Sequence, residues 1–347
     1  NTPGESPYHF GFEVNIAGHA GGAPTSYLSE KNYGNRTDGK PNPWFAVPGL
    51  EHYWGSGTFL SEALTLEAMK ALDKSREYGQ PFFLYMAHYA VHVPIDADMR
   101  FYQKYLDKGL QPKDAAYASL VEGMDKSLGD LMDYLEKYDL ADQTVILFMS
   151  DNGGLASEPG WRDGVPHTQN APLNSGKGSA YEGGIREPML VKWPGVVKPG
   201  VVCDKPLIIE DFYPTILEMA GITDYKTVQH IDGVSFVPML KETGDTFKGR
   251  KLFWHYPNLW GNTGPGIGAT SVVRNGDWKL VYYYETGKKE LFNIRADIGE
   301  KDDCASRNPK LVHKLSGELG KYLRSVNAQR PSFKKTGKPC PWPDEVR

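Results

Sequence analysis

Thr144-Val-Ile-Leu-Phe-Met-Ser-Asp-Asn-Gly153 is the stretch from which the fold is read. Its first six residues form a short apolar run of the kind that makes a buried strand. Its last four put a carboxylate and a carboxamide just past that strand's carboxyl end. In open α/β sheets ligands sit in the crevice beyond the carboxyl ends of strands, and Asp and Asn oxygens are the hard donors that Ca2+ or Mg2+ takes. Asp-Asn-Gly is also a strong turn signal, since all three residues tolerate turn dihedrals, so the stretch alone leaves turn and ligand both open. Downstream come Gly176-Lys177-Gly178 and Glu182-Gly-Gly-Ile-Arg-Glu-Pro188. A lysine between glycines is a point charge suited to an oxyanion, or a solvated residue on a flexible loop.

A third element lies upstream, Pro81-Phe-Phe-Leu-Tyr-Met-Ala-His88-Tyr-Ala-Val-His92-Val-Pro94. Residues 81 to 87 are apolar and aromatic, and their length favours a second buried strand. Two histidines follow it. Histidine titrates near neutral pH and is the usual proton donor or acceptor there; His92 is the candidate for that role and His88 for a supporting hydrogen bond. The two strand ends, one bearing His and one bearing Asp and Asn, are expected at the same edge of one sheet.

Outward from these motifs, residues 1 to 58 are rich in Gly, Pro, Asn and aromatics without periodicity, which reads as long loops. Helical spacing marks 59 to 77 and 114 to 138, where Leu120, Met124, Leu128, Leu131 and Leu135 recur at threes and fours. A strand is expected over 188–193 and a helix within 206–220. Beyond the polar stretch 241–248, short antiparallel strands are expected over 269–273, 278–284 and 290–293, and a helix over 309–326.

At 347 residues the chain has room for one large domain or two smaller ones. Its 40% hydrophobic and 24% charged residues are ordinary for a globular protein, and no apolar run reaches the length of a membrane span. A net charge of −4 argues against a broad grip on nucleic acid, so an anionic ligand needs a local basic pocket. The three cysteines, Cys203, Cys304 and Cys340, imply no obligatory disulfide framework, although one pair could form. Asn35-Arg36-Thr37 matches the glycosylation sequon, a short and common pattern.

The order His-x-Pro, Ser-Asp-Asn-Gly, Gly-Lys-Gly, Glu-Gly-Gly-Ile-Arg-Glu-Pro resembles sulfatases of the arylsulfatase type, in the alkaline phosphatase superfamily. Supporting similarity runs through Gly11-Phe-Glu-Val-Asn15, Asp211-Phe-Tyr-Pro-Thr215, Asp232-Gly-Val-Ser-Phe236, Trp254-His-Tyr-Pro257 and Glu290-Leu-Phe-Asn293. The resemblance implies an α/β fold, an alkaline-phosphatase-like central mixed sheet flanked by helices. A main domain over 1–245, lacking its N-terminal part, is followed by a small C-terminal antiparallel sheet with a helix over 246–347. It further implies that Asp151 and Asn152 are two ligands of a Ca2+ (Mg2+ less so) and that His92 and Lys177 contact a sulfate group near its bridging oxygen. The family's Asp-Asp pair, its Cys/Ser-x-Pro-x-Arg motif that becomes formylglycine, and its Gly-Lys-x-x-His stretch have no counterpart in this sequence. They are expected in a segment upstream, and this chain alone is expected to be inactive.

The activity so implied is sulfate ester hydrolysis in a periplasmic or secreted protein, on a sulfated carbohydrate or an aryl sulfate. The opening loop offers His19 and Tyr27, and the later chain His255 and the Gly261–Gly268 loop, as sugar contacts; each also reads as a structural loop residue. Oligomeric state is left open. Two alternatives stand beside this reading: a phosphodiesterase or phosphonate hydrolase of the same superfamily, and a non-catalytic binding protein that keeps the fold.

Overall fold

The computed structural model of the protein describes residues 6–156, 168–259, 261 and 263–346. Contacts divide the chain into two compact units, Asn1–Thr144 and Val145–Arg347.

The described residues of the first unit form three α-helices: α1 (Leu60–Glu77), α2 (Tyr102–Asp107) and α3 (Pro112–Lys137). α3 opens on a proline, whose missing N–H costs nothing in a first turn, with Asp114 near the positive end of the helix. The predicted spacing buries Leu120, Leu131 and Leu135. α1 and α3 meet through Thr65 and Ser127, whose hydroxyls are 2.6 Å apart, and through the Tyr134 hydroxyl donating to Asp73 at 2.7 Å. Residues 6–58 carry only short 3-10 turns, yet they are not merely laid over a scaffold. Tyr27, Tyr33, Val47 and Leu50 are fully buried and pack with Leu60 and Leu120 in one core cluster.

Residues 81–89 are where the sequence expectation fails. They are in no strand or helix, and the described residues of this unit hold no strand for them to pair with. Phe83 and Tyr85 are accordingly 61% and 72% exposed. An apolar run of this length predicts a buried strand, but a strand needs a neighbour to take its backbone hydrogen bonds.

In the second unit β1 (Ile146–Met149) leads into the Ser-Asp-Asn-Gly stretch, followed by the single helical turn α4 (Glu182–Ile185) and β2 (Met189–Lys192). β1 and β2 pair antiparallel, with Met149 opposite Met189, and Ser150 N donates to Pro188 O beyond the last pair at 3.3 Å. α5 (Phe212–Met219) and α6 (Val237–Leu240) follow. Asp211, just before α5, is fully buried and accepts from Ile208 N, Val234 N and both terminal nitrogens of Arg250, which joins this segment to the Asp232-Gly233-Val234 stretch.

The last part is an antiparallel meander, β3 (Lys251–Tyr256), β4 (Thr270–Asn275), β5 (Trp278–Tyr283) and β6 (Lys289–Asn293), in sequential order, with α7 (Pro309–Ser325) beyond it. The β4–β5 turn takes Gly276 to φ +60°, a conformation that a side chain resists. Alternation along the strands gives the sheet two buried faces. Val273, Leu280 and Leu291 pack against Leu315, Leu319 and Leu323 of α7. Val272, Val281 and Phe292 pack against Ala180 and Tyr181, three and four residues after Lys177. The predicted C-terminal strands and helix are therefore present within one or two residues. All three cysteines are thiols.

Candidate active site

In the described parts of the stretch from Ser150 to Glu187 the backbone approaches itself so closely that no side chain fits at four glycines. Gly153 N donates to Gly184 O at 3.2 Å, Lys177 N to Gly154 O at 3.1 Å, and Gly183 N to Asn174 O at 3.0 Å. A methyl on Gly153 would lie 1.8 Å from Gly183 O, on Gly176 2.2 Å from Gly154 O, on Gly183 2.2 Å from Asn174 O, and on Gly184 2.3 Å from Ser179 O. These are backbone collisions that no rotamer relieves. The glycines first legible as loop residues are thus interlocked, and they hold Lys177 against the loop that carries Asp151 and Asn152.

Asn170 closes the arrangement. Its side-chain oxygen accepts from Gly154 N at 3.0 Å, and its amide nitrogen donates to Gly154 O at 3.0 Å and Ser175 O at 2.9 Å. Nothing in the sequence marks it, because its partners are defined only by the fold. Residues 157–167 between the two lie outside the described residues.

Glu187 is the other residue that sequence reading passed over. The β1–β2 register carries Asp151 to the position facing it. Burial, then the Asp151 charge, push its carboxyl up to about 7, and its Oε1 is buried with no hydrogen-bond partner among the described residues. Two facing carboxylates, one with an orphaned buried oxygen, form a donor set suited to a hard divalent cation. The Asn152 amide nitrogen lies 3.4 Å from Gly153 O, which leaves its carbonyl oxygen as the outward acceptor. Among the described residues no group of three or more His, Cys, Asp or Glu side chains is placed to hold a metal ion.

In the first unit the His92 loop is held from several sides. The Tyr27 hydroxyl lies 2.7 Å from Tyr89 O and 2.9 Å from His92 O. Asp96 accepts from Ser26 Oγ and Tyr27 N at 2.8 and 2.9 Å, and the Tyr89 hydroxyl donates to Ala17 O at 2.7 Å. His92 Nδ1 is 3.0 Å from Val93 O, an acceptor only, which assigns the ring hydrogen to Nδ1 in the neutral form. Tyr27, singled out as a sugar contact, is wholly buried and holds this loop instead. His19 Nδ1 accepts from Gly21 N at 2.9 Å, its ring is 6.0 Å from that of Tyr89, and burial lowers its pKa. Burial lowers His88 further, to about 4, so it is neutral at physiological pH.

His255 lies on β3 with both ring nitrogens engaged, Nδ1 2.7 Å from Ser271 Oγ and Nε2 2.8 Å from Gln329 O. The glycine-rich loop, of which Asn262 lies outside the described residues, joins the site through Ala180 N donating to Gly266 O at 2.8 Å and Ser179 Oγ to Pro265 O at 2.8 Å.

Comparison with known proteins matches residues 7–222 to the sulfatase family and residues 176–329 to the C-terminal part of N-sulphoglucosamine sulphohydrolase. A sulfatase of Formosa agariphila is 32% identical over 323 residues, covering 87% of this chain and 56% of that protein. Human N-acetylgalactosamine-6-sulfatase is 31% identical over 273 residues, 70% of this chain and 50% of that protein. Among solved structures, Ps i-CgsB in complex with k-i-k-neocarrahexaose superposes with a TM-score of 0.67 at 31% identity, over 79% of this chain and 56% of that one. The chain thus spans about half the length of the curated relatives it matches. With a family match over more than half its residues and an α/β fold shared with a relative of known structure, the chain belongs to the sulfatase family.

Proposed function

We propose that the protein to which these residues belong hydrolyses sulfate esters, and that its substrate is a sulfated carbohydrate. The observation that carries this reading is the interlocked glycine site, in which the Asp151-Asn152 loop and Lys177 are joined by the 3.1 Å bond from Lys177 N to Gly154 O. Similarity to an N-acetylgalactosamine-6-sulfatase and to a structure solved with k-i-k-neocarrahexaose supports the substrate class.

Asp151 and the Asn152 carbonyl would hold a Ca2+, with ligands from outside these residues completing the set. The cation, when bound, supplies Lewis-acid charge and orientation at the sulfuryl oxygens. Lys177 adds a fixed positive charge beside them. His92 delivers a proton from Nε2 to the departing sugar oxygen, while its Nδ1–H bond to Val93 O keeps the ring oriented. The nucleophile, a formylglycine on the family pattern, is to be sought upstream of these residues. His19 remains a candidate sugar contact. His255, with both nitrogens engaged, suits the support of a contact surface better than direct binding. A main domain over 1–245 with a C-terminal subdomain over 246–347, and a periplasmic or secreted location, complete the reading.

The test is calcium binding by isothermal titration in the longest protein that contains these residues. Asp151→Ala removes a charge and an oxygen ligand and is expected to abolish measurable binding and sulfate ester turnover together. Asp142→Ala, at an exposed position before β1, is expected to change neither. Full calcium affinity in Asp151→Ala would return the Ser-Asp-Asn-Gly stretch to the status of a turn.

A further inference from the structure

One charge in the second unit has no place in the chemistry above. Lys279, on β5, is fully buried, on the same sheet face as Val281 and Phe292. Its Nζ lies 2.9 Å from Glu182 Oε1 and 2.8 Å from Glu300 Oε1. Arg274, its register partner on β4, reaches Glu182 Oε2 at 3.7 Å, and Arg186 reaches the same oxygen at 3.4 Å. Burial pushes the Glu182 carboxyl up, and the charge of Lys279, followed by those of Arg274 and Arg186, more than offsets it. Glu300 is raised by burial, with Lys279 offsetting part of the effect. A buried cation between two carboxylates is weak evidence for stability, because an apolar trio of the same volume often serves as well. Its use has to be sought in what it positions.

Glu182 begins the glycine turn of the site. Its own N–H donates to Glu300 Oε2 at 2.5 Å, so both ends of the residue are fixed by the Lys279 cluster. Two residues on, Gly184 O accepts from Gly153 N, the peptide that follows Asn152. Gly183 O is the atom against which a methyl on Gly153 would collide. The path from Lys279 to the Asp151-Asn152 loop is therefore one ion pair, one helical turn and one backbone hydrogen bond.

We infer that Lys279 is a positioning residue for the candidate cation loop: through Glu182 and Glu300 it fixes the Gly183-Gly184 backbone that serves as the wall for Asp151, Asn152 and Gly153. This rests on the reading in which that loop holds a cation. The C-terminal sheet is then part of the site's framework.

The experiment is hydrogen–deuterium exchange of the chain as wild type, Lys279→Met and Arg250→Met. Arg250→Met breaks a different ion pair of this unit, with the fully buried Asp211, and serves as the control for a general loss of stability. Lys279→Met is expected to raise exchange in peptides covering 150–156 and 174–187 about tenfold or more, with Arg250→Met leaving them near wild type. Unchanged exchange in those peptides, or an equal rise in both variants, overturns the inference. Where Lys279→Met does not fold, Lys279→Met with Glu300→Gln removes the charges in balance and leaves Glu182 to Arg274 and Arg186. Misfolding of that variant too, with Arg250→Met folded, makes Lys279 a general core cation and also overturns it. Addition of Ca2+ to the longest protein that contains these residues separates the two readings: no slowing at 150–156 there sinks the cation reading, while the Lys279 effect stands or falls by itself.

Discussion

The site loops of 150–187 and the sheet behind them differ in what makes them ordered. Among the described loop residues, half of those buried are glycines, Gly153, Gly176, Gly183 and Gly184, beside Ser179, Ala180, Tyr181 and Glu182. The sheet and α7 instead bury Leu280, Leu291, Leu315, Leu319 and Leu323 at 0–1% exposure. Apolar burial stabilises in proportion to area and tolerates small changes of shape. Close backbone approach adds little area and tolerates almost no change. The sheet supplies stability, and the loops supply geometry.

The largest expected effect lies on the sheet side. Leu319→Ala leaves a cavity in the fully buried α7 face and is expected to lower unfolding free energy by about 2–5 kcal/mol in a denaturant titration. If the contrast holds, calcium binding by the folded fraction stays at wild-type affinity. A loss of affinity matching the loss of stability would merge the two regions into one cooperative element.

Gly183→Ala is the reciprocal change. The added methyl meets Asn174 O at 2.2 Å and Ser175 O at 2.5 Å, both backbone atoms. The expected destabilisation is smaller, about 1–3 kcal/mol, yet calcium affinity is expected to collapse. Calorimetry on the same preparation checks both, and retained affinity would show that the loop can reshape itself around a side chain.

The smallest effect concerns pH and the sheet alone. Burial lowers the pKa of His255, only partly offset by its bond to Gln329 O. In the folded protein the ring therefore binds its proton at lower pH than in the unfolded chain. The contribution is fully present above the ordinary histidine value near 6.5 and is lost as pH falls from there through the lowered folded value. The ring is only half-buried, so after solvent screening the slope is well under about 1 kcal/mol per pH unit. Melting temperature between pH 7 and 5 should fall less steeply for His255→Gln than for wild type, and parallel slopes would assign acid sensitivity elsewhere.

How far the sequence foretold this depends on whether the decisive partner is near in the chain. α1, α3, β1, β2 and the strands β4 to β6 of the C-terminal meander were legible because their signals are local periodicity and punctuation, whereas β3 was not expected. Residues 81–87 misled for the same reason, since an apolar run says nothing about whether a neighbouring strand is present. Asp151, Asn152 and Lys177 stood out by motif. Asn170 and Lys279 did not, because a lone Asn or a lone Lys in a strand becomes informative only once its partner is known, and Glu182 is 97 residues from Lys279. Glu187 was quoted within its motif, but its meaning waited on the β1–β2 register that sets it opposite Asp151.

The glycine interlock also bears on how such a site changes over evolutionary time. A mould cast in main-chain atoms keeps its form whatever the flanking side chains become, and it admits no intermediate between glycine and failure at its contact points. Changes that leave the mould intact are those at outward-facing positions such as Leu259, 72% exposed beside the glycine-rich loop.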